Sequence, residues 1–304
     1  MNDILVVGSV ALDTIQTPFG EAKEALGGSA TYASYSASFF APVRMVAVVG
    51  EDFPEEHIAL LKGRGIQVDG LQVAKGKTFR WSGSYEYDLH EAHTLATELN
   101  VFETFKPQIP ASYKKSDFVF LANIDPELQL NVLDQIEKPK LVACDTMNLW
   151  IKIKPQVLRE VIKRVDFLFL NDAEARQFTG IPSLIKAGRL LQSWGPKVVL
   201  IKKGEHGSLM FGQNSIFSAP AFPLEEVFDP TGAGDTFAGG FFGCVARQGG
   251  DISERSLRRA VAYGTVMASF TVEKFSLERL KTLTLEQAEA RMRQLKELAH
   301  FEVD

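Results

Sequence analysis

Residues 229 to 243 read Asp-Pro-Thr-Gly-Ala-Gly-Asp-Thr-Phe-Ala-Gly-Gly-Phe-Phe-Gly, which puts a glycine-rich turn and a carboxylate directly ahead of an apolar helix of small residues. Gly232 and Gly234 lack the Cβ that would hold a ligand off the backbone. The first N–H groups of the following helix have no intrahelical acceptor and carry partial positive charge, which suits a polyphosphate. An acid at position 235 would repel that ligand, so Asp235 makes sense as a proton acceptor beside the point of transfer. The N–H groups of Gly232, Ala233 and Gly234 would then hold the negative charge that develops. Helix capping accounts for an acid in a first turn, but not for two flanking glycines and a second acid, Asp229, upstream.

Two commoner nucleotide fingerprints fail here. The segment lacks the Lys-Ser/Thr of G-x-x-x-x-G-K-[ST], and Phe237 stands where G-x-G-x-x-G needs its third glycine. It resembles instead the D-T-x-G-A-G-D signature of the ribokinase-like (PfkB) carbohydrate kinase family, with Asp229, Thr231, Gly232, Ala233, Gly234 and Asp235 in register and Pro230 as a variation.

That resemblance extends along the chain. Gly8 to Asp13 is similar to the family's G-x-x-x-x-D, which implies that Asp13 accepts hydrogen bonds from acceptor hydroxyls; a carboxylate can take two such donors. Gly27 and Gly28 open a small-residue helix as in G-G-x-x-x-N, where the glycines admit the substrate, but Tyr32 replaces the family's asparagine and removes an amide that commonly binds sugar hydroxyls. Gly50-Glu51-Asp52 follows a strand as in G-x-D-x-x-G, with Glu55 at the last glycine. Asn171 and Glu174 resemble the N-x-x-E motif that positions Mg²⁺ and phosphate through water, while the same spacing is also a helix capping box. Asp145 and Asn148 resemble a D-x-N region facing the phosphates, and Asn123 ends a strand from which it could reach the acceptor.

Lys203, Gly204 and Gly207 are similar to the family's nucleotide-side turn, for which a tight hairpin is an equally good account. The family places adenine against the helix around Tyr263, where ordinary core packing serves as well, and often has a monovalent-cation ligand at the position of Asp229. The resemblance therefore implies ATP and Mg²⁺, with K⁺ as a candidate activator. In residues 88 to 95, His90 and His93 flank Glu91 and Ala92 without forming H-E-x-x-H, and Arg80 and Trp81 could close over an acceptor or lie on an exposed strand.

These groups need a scaffold. Short β-branched or aromatic runs at 4–7, 44–49, 117–122, 141–144, 166–170 and 198–201 alternate with helical patterns such as 154–165, where Val157, Leu158, Val161, Ile162 and Val165 make one stripe. The alternation predicts an α/β fold with a mostly parallel central sheet covered on both faces, a three-layer α/β/α sandwich in the ribokinase-like family, with ligands at the carboxyl ends of the strands. Residues 11–26 and 68–105 break it with period-two patterns such as Phe79, Trp81, Gly83, Tyr85 and Tyr87, and read as a small antiparallel β lid. Residues 284–299 read as a terminal amphipathic helix opened by Thr284 and Gln287. No linker divides the 304 residues, so a single domain is expected.

A net charge of −5 leaves no basic face for nucleic acid or an anionic membrane. Cys144 and Cys244 lie in apolar stretches without metal or disulfide spacing, and no apolar window reaches membrane length, so a cytoplasmic enzyme is expected. The function these readings support is ATP-dependent phosphorylation of a hydroxyl on a small sugar or polyol. A nucleoside kinase of the same family is the chief alternative, since Tyr32, Phe79 and Trp81 could stack on a base. A catalytically silent sensor or a kinase for a thiamine precursor or pyridoxal fits less well. Lid edges open to strand pairing make a homodimer an option.

Overall fold

The computed structural model describes residues 2–89, 92–213, 215–300 and 302. In chain order the strands are β1 (Ile4–Val7), β2 (Ala11–Thr17), β3 (Gly20–Gly27), β4 (Val43–Gly50), β5 (Gln67–Ala74), β6 (Arg80–Tyr85), β7 (Ala92–Glu98), β8 (Phe118–Leu121), β9 (Leu141–Asp145), β10 (Phe167–Asn171), β11 (Val198–Lys202), β12 (Ser208–Phe211) and β13 (Ile216–Ala219). The helices are α1 (Ser29–Ala37), α2 (Glu55–Gly63), α3 (Pro126–Gln135), α4 (Asn148–Ile153), α5 (Pro155–Ile162), α6 (Asp172–Thr179), α7 (Leu184–Ser193), α8 (Ala233–Arg247), α9 (Glu254–Thr271), α10 (Glu278–Lys281) and α11 (Leu285–Leu298).

The central sheet runs β13-β12-β11-β10-β9-β8-β1-β4-β5, parallel from β11 to β5, with β12 and β13 added antiparallel. Successive residues alternate between two cores, as strands buried on both faces must. Ile4, Val6, Phe118, Phe120, Phe167, Phe169, Val198 and Leu200 face the layer of α1, α8, α9 and α11. Leu5, Val7, Val119 and Leu121 face α3 and α5, while Leu168, Leu170, Val199 and Ile201 face α5, α6 and α7. The three-layer sandwich expected from the sequence is the one observed. Among the described residues no helix is long and apolar enough to cross a membrane.

The lid comprises the hairpins β2–β3 and β6–β7, both antiparallel, joined along a parallel β2–β6 seam. Its span is narrower than the expected 68–105. Residues 67–74 form the edge strand β5 of the main sheet, paired in parallel with β4. Alternation alone cannot separate a half-buried edge strand from a lid hairpin, because both bury one face. Gly70 makes the difference, since a Cβ there would come within 2.5 Å of Val46. At the lid's base, Arg80 bonds to both Asp52 and Glu24, so it anchors the hairpin rather than covering an acceptor.

Helix α8 is the element that positions the site. Its edge-to-face contacts Phe167–Phe241, Phe169–Phe241 and Phe118–Phe242 fix it to the sheet. Its other side meets α1, where a Cβ at Gly239 would stand 2.2 Å from the carbonyl oxygen of Ala33, which is backbone and cannot swing aside. Gly239→Ala is therefore expected to lower the melting temperature by at least about 3 °C in calorimetry, an overpacking penalty. Gly63→Ala in α2, where no atom lies within 4 Å, leaves it unchanged or raises it.

Candidate functional site

Asp235 sits in the first turn of α8, entered through Gly232 in the left-handed region (φ +74°). A Cβ at 232 would lie 2.4 Å from the Tyr32 ring, and one at 234 would lie 3.1 Å from Lys202 Nζ. Both glycines thus admit the protein's own side chains, where the sequence suggested room for a ligand. The expected trio of free amides also changes. The Ala233 N–H donates to Pro230 O at 3.2 Å, and among the described residues the Gly232 and Gly234 N–H groups have no backbone acceptor. The Asp235 carboxylate accepts its own N–H, and burial pushes its pKa up to about 7, with Asp145 adding repulsion and Lys202 opposing it.

On the acceptor side, Asp13 projects from β2 and is 5% exposed. It packs on Gly27, where any Cβ would overlap its carboxylate, and accepts the Gly28 N–H. Gly28 is required twice over: its φ is +95°, and a Cβ would come 2.5 Å from Ser9 O. Burial, with repulsion from Asp229, raises the Asp13 pKa to about 8, against the pull of the Gly28 hydrogen bond. Tyr32 is buried with its hydroxyl unpartnered among the described residues. Burial and the nearby Asp229, Asp13, Tyr85 and Asp235 keep that phenol from ionising. From the lid, the Tyr85 hydroxyl accepts a hydrogen bond from Thr231 Oγ1 at 3.1 Å. Trp81 pairs with Asp13 across the β2–β6 seam, so Asp13, Trp81 and Tyr85 share one lid face. Asn123, just past β8, accepts the Trp150 indole N–H at 3.1 Å, while its carbonyl accepts from Ser29 Oγ.

Asp229 is buried and bonds to the Thr231 N–H at 2.8 Å and the Ser276 N–H at 3.2 Å, which ties the glycine turn to the segment after α9. Burial raises its pKa. Asn171 and Glu174 form the capping box of α6 in both directions, at 2.8 and 2.6 Å. Glu174 also lies within reach of the charges beside α8: burial lifts its pKa to about 7, Lys202 works against that, and Asp145 and Asp235 add to it. The capping box is the role that the hydrogen bonds show.

At the positions expected on the nucleotide side, the structure shows a turn and a packed ring. Lys203, Gly204 and Gly207 form a tight turn between β11 and β12, with the Lys203 N–H donating to Gly207 O. Gly207, at φ +77°, would place a Cβ 2.0 Å from Ala219 O. The turn by itself accounts for Gly207. It is Lys202, one residue earlier, that reaches α8; its Nζ lies 2.7 Å from Asp145 Oδ2. Tyr263 is in the core, edge-on to Phe40 and under the Arg259 guanidinium, so packing occupies its ring. His90 and Glu91 lie outside the described residues, and His93 pairs with Glu86. Among the described residues no group of three or more His, Cys, Asp or Glu is arranged for a metal ion.

Lys202, Tyr85 and Trp150 were missed from sequence. Lys202 did carry a signal, because strand alternation puts it on the face of Val198 and Leu200, toward α8. Tyr85 and Trp150 carried none, since their partners are 146 and 27 residues away.

A family model described as pfkB family carbohydrate kinase matches residues 1–282. A cytidine kinase of Thermococcus kodakarensis is 33% identical over 283 residues, spanning 90% of this chain and 98% of that one. A nucleoside kinase of Methanothermobacter thermautotrophicus is 26% identical over 292 residues, with 89% of each chain covered. The solved nucleoside kinase of Methanocaldococcus jannaschii is similar in fold, with a TM-score of 0.77 at 22% identity over 97% of this chain and 99% of that one. The Burkholderia thailandensis nucleoside kinase in complex with inosine has a TM-score of 0.78 at 18% identity over 96% of each. The chain therefore belongs to the pfkB family of carbohydrate kinases, phosphotransferases that act on a hydroxyl group.

Proposed function

We propose that the chain transfers the γ-phosphoryl group of ATP to a hydroxyl of a nucleoside, a pyrimidine nucleoside such as cytidine first among them. The chemistry rests on one observation, the placement of Asp235 beside unpaired amides at the start of α8 with a pKa raised to about 7. A base works best when its pKa lies near the working pH. Asp13, on the lid face opposite, would orient the acceptor so that its hydroxyl points at Asp235. The proton then passes to Asp235 as the new P–O bond forms.

The reading moves from the sugar favoured by the motifs alone to a nucleoside on two supports. One is the 33% identity to a cytidine kinase along 90% of the chain. The other is the surface around Asp13, where Trp81 and Tyr85 on the lid face offer flat apolar area for a base. For the nucleotide, the acids fit a hydrated divalent cation. Glu174 and Asp145 would hold Mg²⁺ through water, and the ion supplies charge neutralisation on the phosphates. Asp229 keeps lone pairs beyond its two N–H contacts, and with neighbouring carbonyl oxygens it would suit K⁺.

An ADP-release screen over cytidine, other nucleosides, ribose, fructose and inositol tests the acceptor. Turnover confined to the sugars would overturn the nucleoside reading. Asp235→Asn is expected to keep nucleotide affinity in calorimetric titration and lose at least about 100-fold in kcat. Because the base acts only when deprotonated, kcat/KM should rise with pH through about 7 and flatten above it. An acid limb lying well below pH 5 would contradict this.

A stability consequence follows from Asp13, whose folded-state pKa of about 8 lies above its unfolded value. The folded state binds the extra proton, so stability falls as pH rises from about 4 to about 8. Asp13→Asn should raise the melting temperature at pH 8 by about 2 °C or more while weakening acceptor KM. A variant no more stable at pH 8 than wild type would show that the carboxyl is ionised without penalty.

A further inference from the structure

Lys202 is a half-buried cation that the reaction as described so far does not use. It ends β11, paired in register with Asn171 of β10, and its side chain is 17% exposed. An ammonium has three N–H donors. Among the described residues one acceptor is in range, Asp145 Oδ2 at 2.7 Å. Two donors are left over, and they lie where a side chain at Gly234 would otherwise stand, against the first turn of α8. A lone structural salt bridge would have no need of this position.

The charge around it is also unbalanced. Asp145 from β9, Glu174 from α6 and Asp235 from α8 all act on this ammonium. Asp13 from β2, Asp229 and the phenols of Tyr32 and Tyr85 close the acceptor side. Cys144 beside Asp145 is held as a neutral thiol by burial. One fixed cation therefore serves three acids, at the end of the helix that offers its free amides to an anion.

Resting on the kinase reading of the site, we propose that Lys202 is a catalytic residue of the transfer step, giving its two spare N–H donors to the phosphoryl group in flight. The acceptor oxygen forms a bond to the γ-phosphorus, the bond from that phosphorus to the bridging oxygen breaks toward ADP, and the acceptor proton goes to Asp235. Lys202 exchanges no proton. It adds a full positive charge to donors that are otherwise neutral main-chain groups.

Lys202→Met and Lys202→Arg provide the test, with folding followed by near-ultraviolet circular dichroism. Loss of one such donor costs on the order of 100- to 1,000-fold in kcat. For Lys202→Met that loss is expected with acceptor KM within about threefold, and the acid limb of the pH–rate profile should move upward, since Lys202 lowers the Asp235 pKa. Lys202→Arg should recover at least about tenfold and return the limb toward its original place. Removing the ammonium leaves Asp145 buried without its partner. If Lys202→Met does not fold, the Lys202→Met/Asp145→Asn pair carries the kcat comparison.

A neutral variant that turns over like wild type overturns the proposal, and so do Met and Arg variants equally slow with an unmoved acid limb. Should wild type phosphorylate nothing in the screen, the kinase substrate reading fails first. Titration with AMP-PNP and with ADP then tests Lys202 by itself, the expected result being a roughly tenfold loss in the Met variant of preference for the γ-phosphate. An unchanged preference overturns the assignment.

Discussion

Helix α8 can lie on α1 only because Gly239, Gly240 and Gly243 take side chains out of the contact, and that approach sets the place of every group at the site. Gly239 rests on the Ala33 carbonyl, and Ser36 Oγ of α1 donates to Thr236 O at the start of α8. One turn earlier, the Tyr32 ring of α1 lies under Gly232. The spacing between the two helices therefore fixes how far the amides of the glycine turn stand from Asp13, which the Gly27-Gly28 bend before α1 holds through one N–H. Close-packed interiors transmit such displacements with little loss.

The same arrangement carries a cost. Asp13, Glu174 and Asp235 are all removed from water far enough that their carboxyl groups hold protons near neutral pH. Burial dominates each shift, and mutual repulsion adds to it. A fold selected for stability alone would not gather acids this way. The strain is what a site for a polyanion and a cation requires before either arrives, and the aromatic ladder between α8 and the sheet offsets it.

Much of this was legible in the chain. The parallel strands announce themselves as apolar runs, and their boundaries fall within a residue or two of those observed. The Asp229 to Asp235 run specifies the turn and the helix start, because glycine there answers to purely local demands of the backbone. What could not be read depends on contacts far apart in sequence. Gly234 looks like room for a ligand until Lys202 is seen beside it. Strand β5 looks like lid until Gly70 is seen against Val46. Tyr263 has the composition of an adenine slot, yet Phe40 from the turn after α1 packs edge-on against its ring.

The hydroxyl contact between Tyr85 and Thr231 spans 146 residues and ties a lid strand to the glycine turn ahead of α8. Strand β6 carries that phenol and, through the β2–β6 seam, is also bound to the strand bearing Asp13. Lifting β6 away from the glycine turn must therefore break this contact and pull on the strand that carries Asp13.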